Sequence, residues 1–513
     1  MHISQVQTAS LRPALRILSK PRAHRQLATS TQTPRKEGDI SSVFVSLSGV
    51  KEQALPPRFV DQKRRLIAGR EDQVKQSWDR LLCRLRDEVE LIARRGSDII
   101  PSINFKDIHA APSEFQDELR KRGVAVVRGV IPESEARAYK EEIEAYVRAN
   151  PQTRAFPPQD PQVFELYWSQ PQMRARLHPH MLQTQQFLMS FWHSRAEDAL
   201  ISPTHPLTYA DRLRIRQPGD AGFALGPHVD GGSVERWEDN GYGLGRVYQR
   251  IWEGQWEEYD PWEASCRVPA VADLYNGAGA CSMFRMFQGW LSMSHTGPRE
   301  GTLLVNPLLS MATTYYLLRP FFEPILSPLA GDCSRLALDT YLDPTNWRLE
   351  KSMSSKLEGA TPGYAQELND ILHPHLHLDK TMVHMPKIAP GDYVAWHCDT
   401  IHSVDKIHQG RGDSSVLYIP ACPVTEANAQ YVRRQREDFL NGVPPPDFPG
   451  GKGESEHIGR TTQADLARYT NKQGLRSLGL KKWNTGERDL KQGQRAVLKR
   501  ADEIMGHKVD TVN

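Results

Sequence analysis

Two histidines and an aspartate have the residue types and the spacing of a metal site. His228 and Asp230 form a His-x-Asp pair in the segment Gly-Pro-His-Val-Asp-Gly-Gly, and a third candidate ligand, His402, lies far downstream. Two imidazoles and one carboxylate bind non-haem Fe(II) and leave positions open for a co-substrate and dioxygen. On an extended segment, residues i and i+2 point to the same side, so His228 and Asp230 can converge on one ion. His402 must then arrive from a different strand.

Four other histidines compete for the third ligand position. His397 lies five residues before His402, and on one regular strand this odd spacing would put the two on opposite faces. His384, His375 and His377 are further alternatives, although the segment His-Pro-His-Leu-His that ends at His377 is more typical of a loop than of a metal cluster. The order of the two motifs favours His402.

The elements that would position these ligands are short strands and flanking helices. Residues 115–150 predict a helix, a turn at Gly123, a β-branched strand over 124–127 and a second helix after Pro132. A further helix is expected over 173–193. From Leu213 onward, apolar segments broken by Gly and Pro predict strands at 213–217, where apolar and basic residues alternate as in a half-buried strand, and at 282–293, 301–305, 382–384, 393–397 and 416–419.

The composition divides the chain into four parts. Residues 1–36 resemble a leader or tail, and residues 37–110 predict a helical extension in which 59–95 form a long surface helix. Residues 111–425 form the domain that carries the candidate ligands, with an insertion at about 231–380 whose beginning, 233–275, is irregular. Residues 426–513 predict a polar, helical C-terminal extension.

Overall composition favours small-molecule chemistry. Hydrophobic residues make up 39% of the 513 and charged residues 25%, and no apolar run approaches the roughly 18 residues of a membrane span. The net charge of +3 is too small to indicate nucleic acid as a partner. Six cysteines without a Cys-x-x-Cys pair favour a reduced intracellular compartment. We therefore expect a small-molecule substrate, with neither nucleic acid nor membrane as partner; the oligomeric state stays unknown.

The first 36 residues have the composition of a mitochondrial transit peptide. They contain seven lysines and arginines and no acidic residue. Leu11, Leu15 and Leu18 follow the spacing of a short amphipathic helix. The alternatives are an untargeted disordered tail and a cytoplasmic location.

Three stretches of the chain resemble the Fe(II)- and 2-oxoglutarate-dependent dioxygenases. They are Arg-Gly-Val-Ala-Val-Val-Arg-Gly-Val at 122–130, Gly-Pro-His-Val-Asp at 226–230, and the segment 390–404, which runs from Pro-Gly-Asp-Tyr to His402-Ser-Val. The likeness covers about residues 110–425 and is nearest to the phytanoyl-hydroxylase-like branch and the DUF1479 family. It implies a mainly β fold with flanking helices (α+β), built on a double-stranded β-helix, the jelly roll of cupin-like proteins. In this fold Asp392 would shape the turn before the strand that delivers His402.

The same resemblance implies an arginine or lysine about ten residues beyond the distal histidine, which would anchor the far carboxylate of 2-oxoglutarate. Arg411 lies nine residues after His402, and its planar guanidinium suits a carboxylate. If Arg411 lies in a loop, Ser415 or a residue from elsewhere would take this role. Arg285 is the principal rival, because a lone arginine in an apolar strand needs a buried anionic partner. The hydroxyl of Thr302 could donate a hydrogen bond to the co-substrate, or Thr302 could simply be a β-favouring residue.

Four further residues are candidate substrate contacts. Arg214 and Arg216 share one face of the strand that leads to the His-x-Asp pair, and on an inner face they would bind an anionic substrate or 2-oxoglutarate. Arg236 and Trp237 follow Asp230 closely and could form a lid over the iron. The alternative is surface charge beside a packing tryptophan.

These observations predict an oxygenase that uses Fe(II), 2-oxoglutarate and dioxygen to hydroxylate an unidentified small molecule. His228, Asp230 and His402 would be both its metal ligands and its catalytic residues. Two alternatives stay open: a cupin-like metalloenzyme that does not use 2-oxoglutarate, and a catalytically inactive binding protein on the same fold.

Overall fold

The candidate ligands lie on or directly after strands of the smaller of two main β-sheets, which share a buried core. The computed structural model describes residues 55–222, 225–277, 281–327 and 335–507, in a mixed α and β fold with large sheets and helices. The basic segment 1–36 lies outside these residues, so its targeting role stays a prediction. Within the described ranges, no helix has both the length and the apolar composition needed to cross a membrane.

The helices and strands have the following bounds in the described residues. The α-helices are α1 (Arg58–Ile67), α2 (Glu71–Arg95), α3 (Ser113–Arg122), α4 (Glu133–Ala149), α5 (Gln170–Leu177), α6 (Pro179–Met189), α7 (Gln249–Trp252), α8 (Leu309–Leu318), α9 (Arg335–Leu342), α10 (Leu378–Thr381), α11 (Glu426–Asn441), α12 (Gln463–Leu466), α13 (Lys472–Ser477) and α14 (Gln492–Met505). The strands are β1 (Ser102–Asn104), β2 (Val124–Arg128), β3 (Ala155–Phe156), β4 (Val163–Phe164), β5 (Ile201–Leu207), β6 (Leu213–Arg216), β7 (His228–Val229), β8 (Phe287–Ser292), β9 (Leu303–Val305), β10 (Phe322–Pro324), β11 (Trp347–Leu349), β12 (Gln366–Glu367), β13 (Val383–His384), β14 (Tyr393–His397), β15 (His402–Val404), β16 (Ser414–Tyr418) and β17 (Cys422–Thr425).

The strands form two main sheets. The larger has eight strands in the order β1-β2-β14-β8-β16-β6-β4-β3, and the other has five in the order β12-β7-β15-β9-β13. Neighbours within the five-stranded sheet pair antiparallel. This sheet brings β7 and β15, which carry the candidate ligands, side by side although they are remote in sequence.

The large sheet separates two hydrophobic cores. Val394 and Trp396 of β14 lie in a core shared with the five-stranded sheet, whereas Tyr393 and Ala395 lie in a second core with helices α3 to α6. This alternation follows from the two-residue period of a strand. Strand β6, predicted to be half-buried, is buried along its whole length because both of its faces are covered.

The helical predictions hold around Gly123 and need two corrections elsewhere. The predicted surface helix at 59–95 is two helices, α1 and α2, and α2 is partly a core element: Trp78 is fully buried and stacks on Phe322 at 4.4 Å between ring centroids. The predicted helix at 173–193 is divided into α5 and α6 at Pro179, which cannot donate the backbone hydrogen bond that a continuous helix needs. The segment 233–275 is irregular as predicted, with only α7 and short 3-10 turns.

The C-terminal extension is helical and packs on the domain that carries the candidate ligands. Helices α11 and α14 lie against β5 and β17, and their apolar residues share a third core with Tyr209, Cys281 and Met283. The extension therefore covers the segment that leads into β8.

Candidate functional site

The three predicted ligands meet at neighbouring strands of the five-stranded sheet. His402, the first residue of β15, is the direct cross-strand partner of His228 in β7, and their ring centroids are 4.2 Å apart. Asp230 follows β7 at once, and its carboxylate oxygens lie 3.7 Å from Nε2 of His228 and 3.6 Å from Nε2 of His402. One ligand atom from each residue lies within 4.8 Å of the other two. These separations allow all three side chains to bind one ion.

Backbone carbonyls orient both imidazoles. Nδ1–H of His228 donates to the carbonyl oxygen of Gly226 at 2.7 Å, and Nδ1–H of His402 donates to that of Thr400 at 3.1 Å. In the neutral form each of these imidazoles has its single N–H on Nδ1, which leaves the lone pair on the Nε2 that faces Asp230. Hydrogen bonds of this kind fix the tautomer of metal-binding histidines.

The electrostatics of the cluster favour the protonation states that metal binding requires. Burial and, to a smaller extent, the nearby His402 lower the pKa of His228 to about 4. Burial raises the pKa of Asp230, but the adjacent His402 and His228 and the guanidinium of Arg285 outweigh it, so this pKa lies well below its usual range. His228 is therefore neutral and Asp230 ionised at neutral pH.

A buried ion pair holds the turn that delivers His402. Asp399, in the segment between β14 and β15, accepts hydrogen bonds from Arg267 and from the hydroxyls of Tyr248 and Tyr259 at 3.1 and 3.2 Å. Burial raises the pKa of Asp399, but Arg267 holds it well below its usual range. Because a buried charge without its partner is very costly, this contact ties the turn to the insertion.

A second arginine from the insertion holds the segment of Asp230. Arg236 is 1% exposed; its Nη2–H donates to the carbonyl oxygen of Asp230 at 2.7 Å, and its Nη1–H donates to that of Gly232. Trp237 is also buried, with its indole N–H bonded to the carbonyl of Leu317 at 3.1 Å. Arg236 thus contacts the backbone of a ligand residue, whereas Trp237 packs in the core and forms no lid.

Arg285 lies beside the cluster on its open side. Its Nη2 is 4.0 Å from Oδ2 of Asp230, and its guanidinium lies over the ring of Tyr209 at 5.8 Å. The side chains of Asp230 and Arg285 retain 31% and 15% exposure, more than the 6% of His402. A ligand can therefore approach the cluster from the side where Arg285 lies.

The other two predicted co-substrate contacts, Arg411 and Thr302, make no hydrogen bond or ion pair with the three ligands within the described residues. Arg411 is exposed and precedes β16. Thr302 precedes β9, whose Val305 pairs with His402, so it lies about 10 Å along the strand from that ligand. The Thr302 N–H donates to Oδ2 of Asp405 at 3.0 Å, and its buried hydroxyl makes no hydrogen bond within the described residues.

Arg214 and Arg216 face the core that the two sheets share. Leu213 and Ile215 alternate with them and lie in the other core. Arg216 is fully buried and bonded through Nε to Asp220, with Nη1–H donating to the carbonyl of Asp405 at 2.8 Å. Burial and the neighbouring Arg216 lower the pKa of Arg214, and the adjacent Tyr418 raises it, which together leave this pKa at about 10. Of the two, Arg216 is thus committed to an internal ion pair.

The competing histidines have other partners. Nε2 of His384 lies 2.7 Å from Oδ1 of Asp405. His375 is buried beside Trp78, with its Nδ1 at 3.0 Å from the Tyr315 hydroxyl. The His-Pro-His-Leu-His segment contains a short 3-10 turn, Pro374–Leu376, and this part of it is buried in the core. His377 is half-buried at the start of α10.

His397 belongs to the second group of side chains in the described residues that could hold an ion, with Cys398 and Asp399. Its Nε2–H donates to the carbonyl of Pro261, and its Nδ1 accepts from the N–H of Asp399, both at 3.0 Å. Because both ring nitrogens are used and Asp399 binds Arg267, this group is structural.

Comparison with known proteins identifies the family. The model of the Gig2-like family matches residues 53–480. The chain belongs to the Gig2-like family. It is 31% identical over 407 residues to YbiU of Escherichia coli (strain K12). This alignment covers 77% of this chain and 88% of YbiU. The crystal structure of GlcNAc Inducible Gene 2, GIG2 (DUF1479), from Candida albicans is similar with a TM-score of 0.78 and 30% identity, covering 89% of this chain and 96% of that one. A Salmonella typhimurium LT2 protein provisionally named an oxidoreductase is similar with a TM-score of 0.68 and 29% identity, covering 83% and 98%.

Sequence reasoning about this Gig2-like chain missed the residues that support the ligands. The sequence predicts a lid or surface charge for Arg236, and it gives no indication of Arg267, which binds Asp399. Both arginines lie in the irregular segment 233–275, where no periodicity indicates their contacts. The sequence held one signal for a neighbour of the cluster. Trp396 and His397 are adjacent on β14 and face opposite sides of the sheet, and the Trp396 ring lies 5.1 Å from that of His402.

Proposed function

We propose that this chain is a non-haem Fe(II)- and 2-oxoglutarate-dependent oxygenase that hydroxylates a small molecule. The observation that carries the proposal is the convergence of His228, Asp230 and His402, with both Nε2 atoms within 3.7 Å of one carboxylate. Two imidazoles and one carboxylate are the donor set of non-haem Fe(II) oxygenases. The exposure of Asp230 on one side of the cluster agrees with coordination positions left open for co-substrates.

Fe(II) in this site would supply the oxidation of a C–H bond by dioxygen, coupled to conversion of 2-oxoglutarate into succinate and carbon dioxide. The protein's own residues do the positioning. Gly226 and Thr400 hold the imidazole tautomers, while Arg236 and the ion pair of Asp399 fix the two segments that carry the ligands. The buried side chains Trp396 and Val305 exclude water from the inner side of the cluster.

Arg214 is our proposed anchor for the far carboxylate of 2-oxoglutarate. It lies on the face of β6 that is turned toward the five-stranded sheet, opposite Val416 of β16. Its reduced pKa means that an anion beside it would be stabilised, and its guanidinium can bind a carboxylate through two hydrogen bonds. The exposed Arg411 lacks such an enclosed setting.

The strand order supports a double-stranded β-helix as the framework of this site. From β6 to β9, and again from β13 to β16, successive strands belong alternately to the large and the five-stranded sheet. A chain that passes back and forth in this way builds two facing sheets, and the ligands lie at one end of the space between them.

The first test compares His402→Ala with His384→Ala. His384 is a matched control because it also contacts a carboxylate, Asp405, but lies outside the cluster. Fe(II) bound per chain is measured after anaerobic loading, followed by the charge-transfer absorption band on addition of 2-oxoglutarate and by succinate formation in air. We expect the wild type and His384→Ala to bind one Fe(II) and form succinate, and His402→Ala to lose both.

The outcomes separate the alternatives. Iron binding without the 2-oxoglutarate band or succinate would favour a cupin-like metalloenzyme that does not use this co-substrate. Absence of bound metal in the wild type, or equal metal content in His402→Ala, would favour a binding protein that retains the fold.

A further inference from the structure

Arg285 has the setting of a ligand-binding residue and not of an internal ion pair. Within the described residues its guanidinium makes no hydrogen bond. It approaches Asp230 at 4.0 Å, lies over the face of Tyr209, and has Cys281 and Asp211 as further neighbours. Arg216, by comparison, is bonded through three nitrogens to Asp220 and backbone carbonyls. The five N–H donors of Arg285 are therefore free to bind a ligand that enters on the exposed side of Asp230.

The C-terminal extension clamps the segment that carries Arg285. Oδ1 of Asn428 accepts from the N–H of Phe284 at 2.8 Å, and its Nδ2–H donates to the carbonyl of Phe284 at 2.9 Å. Asp447 accepts from the N–H and the hydroxyl of Ser282 at 2.8 and 2.6 Å. Four hydrogen bonds from a remote part of the chain thus fix the residues directly before Arg285.

The same extension also holds the aromatic ring beneath the guanidinium. The hydroxyl of Tyr209 donates to Oδ2 of Asp447 at 3.0 Å, and its ring stacks on Tyr431 at 5.4 Å. A guanidinium held over a fixed ring, on a clamped backbone, is pre-organised and loses little entropy when it binds a ligand. This arrangement is expected of a specificity-determining residue.

We propose that Arg285 binds a carboxylate group of the substrate, so that the protein acts on a small carboxylic acid. The inference rests on the proposed oxygenase function and names its substrate class. Arg285 lies next to the residue pair Phe287–His397, at the sheet end from which the chain turns to His402. A carboxylate held there would bring the rest of the molecule alongside the three ligands. The negative charges of Asp230 and Asp211 nearby favour a singly charged group over a dianion.

The test uses pairs of probes that differ only in charge: phenylacetate with phenylacetamide, hexanoate with hexanamide, and gluconate with glucose. Binding to the full chain, metal-free and Zn(II)-loaded, is measured by saturation-transfer NMR, which requires neither iron nor turnover. We expect the wild type to bind at least one acid about tenfold or more tightly than its neutral partner. Arg285→Gln should lose this preference and the control Arg411→Gln should keep it, both with unchanged metal content and 2-oxoglutarate affinity.

Three results would overturn the inference. They are no preference for acids in the wild type, a preference that survives in Arg285→Gln, and a loss in that variant of 2-oxoglutarate or metal binding in place of acid binding. If the chain binds neither Fe(II) nor 2-oxoglutarate but keeps a preference that depends on Arg285, the oxygenase proposal fails while the carboxylate site stands.

Discussion

Replacing Arg236 should weaken metal binding although Arg236 is not a ligand. Its guanidinium donates to the carbonyl oxygens of Asp230 and Gly232, which flank the turn that directs the Asp230 carboxylate. Each hydrogen bond from a charged donor contributes about 1.5–3 kcal/mol, and each buried carbonyl left without one carries a desolvation penalty. Arg236→Met removes both bonds at similar volume, whereas Arg236→Lys can keep only one.

The loss of metal-binding free energy should be smaller than the summed free energies of these hydrogen bonds. Part of that sum is lost as stability of the folded state and does not affect metal affinity. Residues that orient a ligand typically change metal affinity by about 10- to 100-fold, or about 1.4–2.8 kcal/mol. We expect a loss near the upper end for Arg236→Met and near tenfold for Arg236→Lys. Both stay distinct from the complete loss expected for His402→Ala.

The assay is anaerobic titration of metal-free protein with Fe(II) by equilibrium dialysis, after circular dichroism has shown that each variant is folded. Arg468→Met is the control, since Arg468 lies on the surface with its side chain 78% exposed. A folded Arg236→Met protein with wild-type affinity would refute the reasoning, because the backbone of Asp230 would then hold its position without these bonds.

Three further predictions concern positioning and stability. Asp447→Asn should reduce the preference of the Arg285 site for acids over amides while 2-oxoglutarate affinity stays unchanged; equal preference in wild type and variant would exclude a positioning role. Burial raises the pKa of Glu454 from 4.5 to about 7, so the folded state favours the protonated form. The free energy of unfolding should thus fall by about 3 kcal/mol as pH rises from about 4.5 to 7. Urea denaturation should give a flatter dependence for Glu454→Gln, and parallel curves would argue against this shift. Gly391→Ala should lower the free energy of unfolding by about 1–3 kcal/mol, since φ is +87° and an added Cβ would lie 2.0 Å from a backbone carbonyl oxygen; Gly412→Ala, which meets nothing within 4 Å, should not.

The metal cluster could be predicted from sequence because short-range spacing and the two-residue period of strands position its ligands. His228 and Asp230 are two residues apart on extended chain, and the segment 390–404 indicates a turn followed by a strand that ends before His402. The approach of His402 to this pair follows from the pairing of β7 with β15. The family resemblance implied a double-stranded β-helix but did not specify this pairing.

The partners of the ligands could not be predicted in this way. Arg236 acts on a backbone carbonyl, which has no residue signature, and Arg267 reaches Asp399 across 132 positions of the chain. Burial also overrode local pattern: β6 alternates apolar and basic residues as a half-buried strand would, yet helices cover one face and the second sheet the other. Tertiary packing determines which strand faces are covered and which distant residues meet. A single sequence has no periodic pattern that indicates either.

The origin of these partners indicates where specificity can change in this family. The three ligands lie on or beside the sheets, but the residues that hold the neighbouring segments come from outside them: Arg236 and Arg267 from the insertion, and Asn428 and Asp447 from the C-terminal extension. The two groups act on different targets, because the insertion holds the ligand segments and the extension holds Arg285. Substitutions in the extension can therefore alter which molecule binds beside the metal site without disturbing the three metal ligands. Substitutions in the insertion should instead lower the metal affinity.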